Sequence, residues 1–415
     1  MKKDDSTIID QKSGNEIIQW TDSDKHDQHL YFTSPSVTDD DQYLVIISER
    51  KGKPDLFCID RGTSEISQIT DSKGLLKSYT YPQGGEVGLS KASPFLDSKN
   101  KILYWIEDDC LWKKDLASNE APKEVACLPK GWLTGYTHVS SDGKKICVPC
   151  TDPNAFTEED KTQHDQLKNV PIIMLNEGYK TKIIVVDIES ETCSAEVELP
   201  FWVTHVQFDP NDPEKILCNS EGSLPSTARR EYPYWGRIWL VNTDGSYRRL
   251  FEQEEGEYVN HENWFRSGEG IVYHGKYDQT FFKKAGYYGM IAFNKFVRKF
   301  FSRQKLDVMF DHFVAARDRN GKQLFSIKVN HPISHAVAGT KGENFVTDSR
   351  DGNIYGYREV HNDFNKSLIC HHGSSLSFQD AHPHPRVTKN GNSIIFTSDK
   401  NGSCNVYEVK LKETI

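Results

Sequence analysis

Apolar and polar residues alternate along this chain in short runs, and nearly every run is bounded by Asp, Gly, Asn or Lys. A period of two marks half-buried strands, and polar turns between such runs mark antiparallel hairpins. Segments of helical periodicity are nearly absent. One pattern recurs: an apolar strand, a polar turn, a second apolar strand, and a third that ends in an aromatic and aliphatic run. The clearest copy runs from His384 through the turn Lys389-Asn390-Gly391-Asn392 to Ile394-Ile395-Phe396 and Asn405-Val406-Tyr407. Equivalent turns lie at Asp39-Asp40-Asp41, Asp97-Ser98-Lys99-Asn100, Ser141-Asp142-Gly143-Lys144, Asp209 to Asp212, Arg266-Ser267-Gly268 and Thr340-Lys341-Gly342, which makes seven units in 415 residues. Repeats of this length, each with several short strands, predict an all-β fold: a seven-bladed β-propeller forming a single domain over residues 1–415. No Pro/Ser/Gly-rich linker divides the chain into two sandwiches.

The closure of the ring is also legible. The outer strand of the first unit, Ser64-Glu65-Ile66-Ser67-Gln68-Ile69-Thr70-Asp71, is echoed by Asn15-Glu16-Ile17-Ile18-Gln19-Trp20-Thr21-Asp22, which has no inner strands of its own. The last unit ends at Val409 after three strands. Residues 15–21 are therefore expected to complete the seventh blade and remove its open edge. Irregular spacing places insertions at 152–179, 221–236 and 300–320.

In a propeller the innermost strand of each blade lines the central channel, so its first residues face the mouth. His384, His335 and His261 each precede a turn glycine by seven positions, at Gly391, Gly342 and Gly268. His205 holds the corresponding place before the turn at Asp209 to Asp212. His382 lies two residues ahead of His384, on the same strand face if the strand period holds, and Gln379 is in the approach loop. Any one of these histidines alone is most simply a packing residue bonded to a backbone carbonyl of the next blade. Five converging on one mouth favour binding chemistry. A His-x-His pair and a histidine from the adjacent blade give three nitrogens, and Gln379 could add an amide oxygen. Such an uncharged set would leave a divalent cation its full charge and open positions, which suits capture of an anionic substrate. Arg237 begins the strand-like run Arg237-Ile238-Trp239-Leu240-Val241-Asn242; a surface arginine is the plain alternative. Arg229-Arg230 fit a solvated loop pair better than a binding fork.

Composition narrows the rest. The formal charge of −9, from 51 basic and 60 acidic residues mixed along the chain, shows no basic stripe, so neither nucleic acid nor an anionic membrane is an expected partner. The N-terminus lacks an apolar run of signal-peptide length, no stretch would span a membrane, and the nine cysteines are scattered without zinc-ligand spacing. The expected setting is the cytoplasm. Serine-hydrolase, phosphate-loop and zincin motifs are absent.

At its histidines the chain resembles the oligogalacturonate lyase family of polysaccharide lyases. The resemblance rests on Gln379-Asp380-Ala381-His382-Pro383-His384-Pro385 and the following Phe396-Thr397-Ser398-Asp399, and on His261-Glu262-Asn263-Trp264. Arg237 through Gly245 and the pair Ser334-His335 add to it. These motifs fall in order over the last half of the chain. The resemblance implies that His335, Gln379, His382 and His384 hold a manganese ion, or another divalent cation. It also implies that His261 is the base and that Arg237 holds a substrate carboxylate, with His205 and Lys182 as further substrate contacts. The implied reaction is β-elimination on short galacturonate oligomers, an acidic substrate, in intracellular pectin degradation. Two departures from the family pattern bear on substrate: Cys218-Asn219-Ser220-Glu221-Gly222-Ser223 stands where C-H-E-G-P is common, and Lys182 stands where an arginine is common. A non-catalytic propeller that binds carbohydrate or a protein is the alternative, and it has no reason to gather histidines at one mouth.

Overall fold

The computed structural model describes residues 6–73, 88–89, 93–157, 169–222, 232–254, 256–277, 311–339, 344–361 and 363–413. Its strands form seven antiparallel sheets arranged as the blades of a propeller. Blade 1 comprises Asp27–His29, Tyr43–Ser48, Asp55–Asp60 and Ile66–Gln68, ordered from the channel outward. Blades 2 to 6 follow in the same sense, with inner strands at Phe95–Asp97, Leu133–Thr134 with His138–Val139, Val206–Asp209, Glu257–Trp264 and Ile333–Ala338.

Blade 7 is composite. Arg386–Val387, Ser393–Ser398 and Asn405–Lys410 come from the C-terminus, and Glu16–Gln19 pairs with the last of them through Ile17↔Val409 and Gln19↔Tyr407. The expected closure by the N-terminal strand is observed. It is reinforced by Trp20, whose backbone N–H donates to the Val406 carbonyl (2.8 Å) and whose indole donates to the buried carboxylate of Glu408 (2.8 Å). A further strand, Ser6–Ile9, extends this blade outward to five.

The repeat is held together between blades rather than within them. Each of the seven blade-to-blade interfaces has its own buried apolar cluster, for example Phe57, Ile59 and Trp20 against Ile395 and Val406 between blades 1 and 7. Both faces of a blade are covered, which is why middle strands such as Ile183-Ile184-Val185-Val186 are buried throughout. Burying one such aliphatic side chain contributes about 1.5–3 kcal/mol.

The insertions differ from expectation in part. Residues 152–179 include a 3-10 turn at Pro153–Ala155 and a helix at Val170–Glu177. The helix is stopped by Gly178 in the left-handed region (φ 75°) and seats Val170 and Met174 on Leu133, Phe156 and Trp202. The expected insertion at 300–320 is shorter at its C-terminal end, because Asp311–Asp318 is the third strand of blade 5, paired with Gly270–Tyr277 along its whole length. The remainder of that segment, the turn at 340–342 and Arg229-Arg230 lie outside the described residues. Among the described residues no helix is long and apolar enough to cross a membrane.

Candidate functional site

A cavity of about 450 Å³ opens at the channel mouth beside blades 4 to 7. Its wall takes Glu221, Tyr232, Tyr234 and Arg237 from blade 4, His261, His274 and Lys276 from blade 5, His335 and Arg350 from blade 6, and His382 from blade 7. His335, His382 and His384 each offer a ring nitrogen, all within 4.8 Å of one another.

Backbone irregularity aims these rings. His261 sits in the break of register between Asn260 and Asn263, with φ 39°, and His335 follows the break between Ile333 and His335. His384 has φ 46°. Positive φ in a residue with a Cβ is uncommon, and bulges re-aim a side chain out of the strand alternation. The expectation that His382 and His384 share a face through strand period is corrected. The strand begins only at Arg386; Gln379–Ala381 is a 3-10 turn, and Pro383 and Pro385 have no N–H to donate to the ladder, although the Pro383 carbonyl accepts the Thr397 N–H (3.0 Å). The two rings still converge, with centroids 5.8 Å apart, because the turn and the left-handed residue bring them together.

Hydrogen bonds fix which nitrogen is free. His335 Nδ1 lies 2.9 Å from Asp348 Oδ2, and the same carboxylate accepts the His335 backbone N–H at 2.6 Å. A carboxylate can only accept, so Nδ1 carries a proton toward Asp348 and Nε2 is the nitrogen turned to the site, the arrangement that orients a ligating imidazole. Burial opposes the charge on Asp348, but neighbouring His335 wins and lowers its pKa. Burial holds His382 down to about 4 and His384 well below the usual imidazole range, so both are neutral near pH 7. Three imidazole nitrogens brought together in this way fit a borderline divalent cation. The Gln379 amide is 3.4 Å from His384 Nε2, and a half-turn of the amide would bring its oxygen to the same point.

His261 lies outside that trio. Its Nδ1 faces the Ser334 carbonyl (2.8 Å) and His274 Nε2 (3.0 Å), so Nδ1 carries the proton and Nε2 has no hydrogen-bond partner among the described residues. Burial, then the neighbouring imidazoles, push its pKa well down. Its ring centroid is 4.4 Å from that of His335.

Arg237 is buried rather than on the surface. Its Nε donates to Glu262 (2.7 Å) and its Nη1 to Glu221 (3.2 Å). Burial alone would lower its pKa; the two carboxylates raise it instead, and the group is a permanent cation facing the cavity.

Two expected substrate contacts are not brought to the cavity wall. Lys182 is on the third strand of blade 3, where its ammonium lies 2.6 Å from Glu196 and 3.5 Å from Glu198, over the Trp132 ring. His205 is buried in the channel, with Nδ1 on the Thr204 hydroxyl (2.8 Å) and Nε2 on the Tyr31 hydroxyl (2.9 Å). Both of its nitrogens are engaged, so it packs the axis.

Asp348, Glu221, His274 and Arg350 escaped the sequence reading. A signal existed for two of them: Asn219, His274 and Asp348 stand opposite His205, His261 and His335 on the second strand of their blades and bind them there. Aligning second strands as well as first strands would have found this position. A different His/Cys/Asp/Glu group, Cys110, Glu124 and Cys127, lies on the outer strands of blade 2, with the two thiols 3.5 Å apart.

No protein-family model matches the chain. Curated relatives match it from end to end. An oligogalacturonide lyase of Pectobacterium atrosepticum is 24% identical over 99% of this chain and 96% of its own length. An oligogalacturonate lyase of Dickeya dadantii is 22% identical over the same shares. Among solved structures, an oligogalacturonate lyase in complex with manganese superposes with TM-score 0.76 at 21% identity, covering 100% of this chain and 97% of that one. The oligogalacturonate lyase of Vibrio parahaemolyticus gives TM-score 0.76 at 20% identity, with 100% and 98% covered.

Proposed function

We propose, from its end-to-end kinship with the oligogalacturonate lyases, that this protein is a metal-dependent lyase that cleaves short galacturonate oligomers by β-elimination. The observation that carries the reading is local: three imidazoles converge, one of them backed by Asp348, beside a cavity that also holds a largely buried arginine and a histidine whose Nε2 has no hydrogen-bond partner among the described residues. The whole chain, residues 1–415, acts as one domain in this reading, and its setting is cytoplasmic breakdown of pectin fragments.

His335, His382 and His384 would hold the cation, with Gln379 as an oxygen donor, and manganese is the ion named with the structural relative. A bound divalent cation supplies a Lewis acid for the uronate carboxylate. The chain's own groups do the rest. Arg237, fixed between Glu262 and Glu221, holds a carboxylate of the oligomer and stabilises the negative charge that develops when the adjacent C5 proton leaves. His261 Nε2 accepts that proton; its lone pair is available because Nδ1–H is committed to the Ser334 carbonyl. The C5–H electrons form the C4–C5 double bond, the bond from C4 to the leaving sugar's oxygen breaks with its electron pair going to that oxygen, and the oxygen takes a proton from water to leave as a hydroxyl. Tyr234, half-buried on the same wall, offers a surface for a sugar ring, whereas Tyr232 beside it is buried in the core.

Incubation with di- and trigalacturonate, with and without chelator, tests the proposal through the ultraviolet absorbance of an unsaturated product. Product in the presence of metal and none after chelation is expected. Absence of product with metal restored would end the reading as a lyase of this class.

A further inference from the structure

The inner strands run from the histidine mouth to a second mouth formed by their turns, where a separate cavity of about 230 Å³ opens. Four cations line it, Arg266, Arg386, Lys99 and Lys389, against two carboxylates, Asp39 and Asp97. This excess of positive charge stands in a protein of net charge −9. The carboxylates are occupied locally: Asp39 accepts the Ser98 hydroxyl (2.7 Å), and Asp97 accepts the backbone and side-chain N–H of Asn100 (3.1 and 2.8 Å).

Neither guanidinium has a carboxylate within ion-pair distance among the described residues, and Asp39 acts on Arg266 only through its charge across the cavity. Arg266 is pinned by three backbone carbonyls, of Val387 (2.6 Å), Lys389 (2.8 Å) and Thr388 (2.9 Å). Arg386 donates Nη1 to the Phe32 carbonyl (2.8 Å) and makes no other hydrogen bond to the described residues, which leaves Nε and Nη2 as donors. His138, also on the wall, accepts the Phe208 backbone N–H at Nδ1 (3.2 Å), so its neutral ring carries the proton on Nε2 and adds one more donor. A cation taken from water without a counter-charge is costly, and carbonyl dipoles compensate only part of that cost. Two such cations in one cavity, with Nε and Nη2 of Arg386 bonded to none of the described residues, constitute half of an ion pair.

We infer that this second mouth binds a small oxyanion, a carboxylate or a phosphate, seated on Arg386 with Arg266 and Lys99 contributing charge. Paired N–H donors of a guanidinium match either anion in a bidentate contact. The site is separate from the proposed lyase cavity and does not depend on that reading.

The test is calorimetric titration of the full-length, chelator-treated protein with inorganic phosphate, sulfate and monomeric galacturonate at low ionic strength. Binding by at least one of them is expected, with a Kd on the order of 1 mM or tighter, and the preferred anion identifies the source. Arg386→Met should weaken it at least about tenfold, and Lys99→Glu, an exposed rim change that leaves folding intact, about threefold. Galacturonate also has Arg237 to meet at the other mouth, so the binding assigned here is the part that persists in the Arg237→Met variant. No binding by any of the three anions overturns the inference, and so does binding lost with Arg237→Met. If Arg386→Met does not fold, Lys99→Glu decides: unaltered affinity in that variant overturns the inference.

Discussion

At one mouth of the channel the blades present imidazoles and at the other guanidinium groups, and the fold treats the two sets differently. Burial holds the rings of His382 (to about 4) and His384 below the usual imidazole range, so these two stay neutral and need only hydrogen-bond partners. An arginine cannot shed its proton. Arg237, the cation among the histidines, therefore carries two carboxylates, whereas Arg266 at the far mouth is surrounded by three carbonyls. The lesson is that a side chain able to be neutral is held around the channel by hydrogen bonds alone, whereas one that cannot be neutral needs carboxylates or several carbonyls around it.

Blade 7 spans both mouths, with His384 at one and Arg386 at the other, so the most damaging change is one that opens it. Deleting residues 1–22 removes Ile17 and Trp20 from their apolar clusters and exposes the edge of Asn405–Lys410. We expect aggregation on size-exclusion chromatography; a monomeric truncation with unaltered melting would show that both mouths are independent of ring closure. Within the first mouth, His261→Ala should reduce turnover by roughly 10²–10⁴ while bound manganese, measured by elemental analysis, remains. Loss of metal in that variant would merge the two histidine roles separated here. Asp348→Asn should weaken manganese affinity by roughly 10–100-fold, because the amide no longer fixes the His335 tautomer; unchanged affinity would detach Asp348 from the site.

The far mouth sharpens the contrast by smaller effects. Arg266→Lys keeps the charge and loses the fork that caps three carbonyls, so unfolding free energy should fall by about 1–3 kcal/mol in denaturant titration, with manganese affinity unchanged. Acid supplies the last comparison. His29, His205 and His331 are buried and held at about 4, 3 and 4, against roughly 6.5 in an unfolded chain. Below that value the unfolded chain takes up protons that the native one refuses. The contribution of these histidines is therefore complete above pH 6.5 and declines as pH falls toward their folded values. It should cost on the order of 1 kcal/mol each near pH 5.5, read as a lower Tm than at pH 7.5. A Tm indifferent to pH over this range would mean that the imidazoles are charged in the fold.

The sequence alone determined the seven units, the composite last blade and the clustering of His261, His335, His382 and His384, because strand period and turn chemistry are local and seven copies repeat them. It also marked Arg237. Only the tertiary structure decided that Lys182 faces Glu196 outside the cavity and that His205 is locked to Tyr31 and Thr204 on the axis. The same is true of Asp348 behind His335 and of the cationic second mouth. These depend on which face of a strand a bulge selects and on which turns from distant blades meet around the channel. A register break at Asn260 or a left-handed His384 rotates a side chain without changing the hydrophobic pattern, so nothing in that pattern records it.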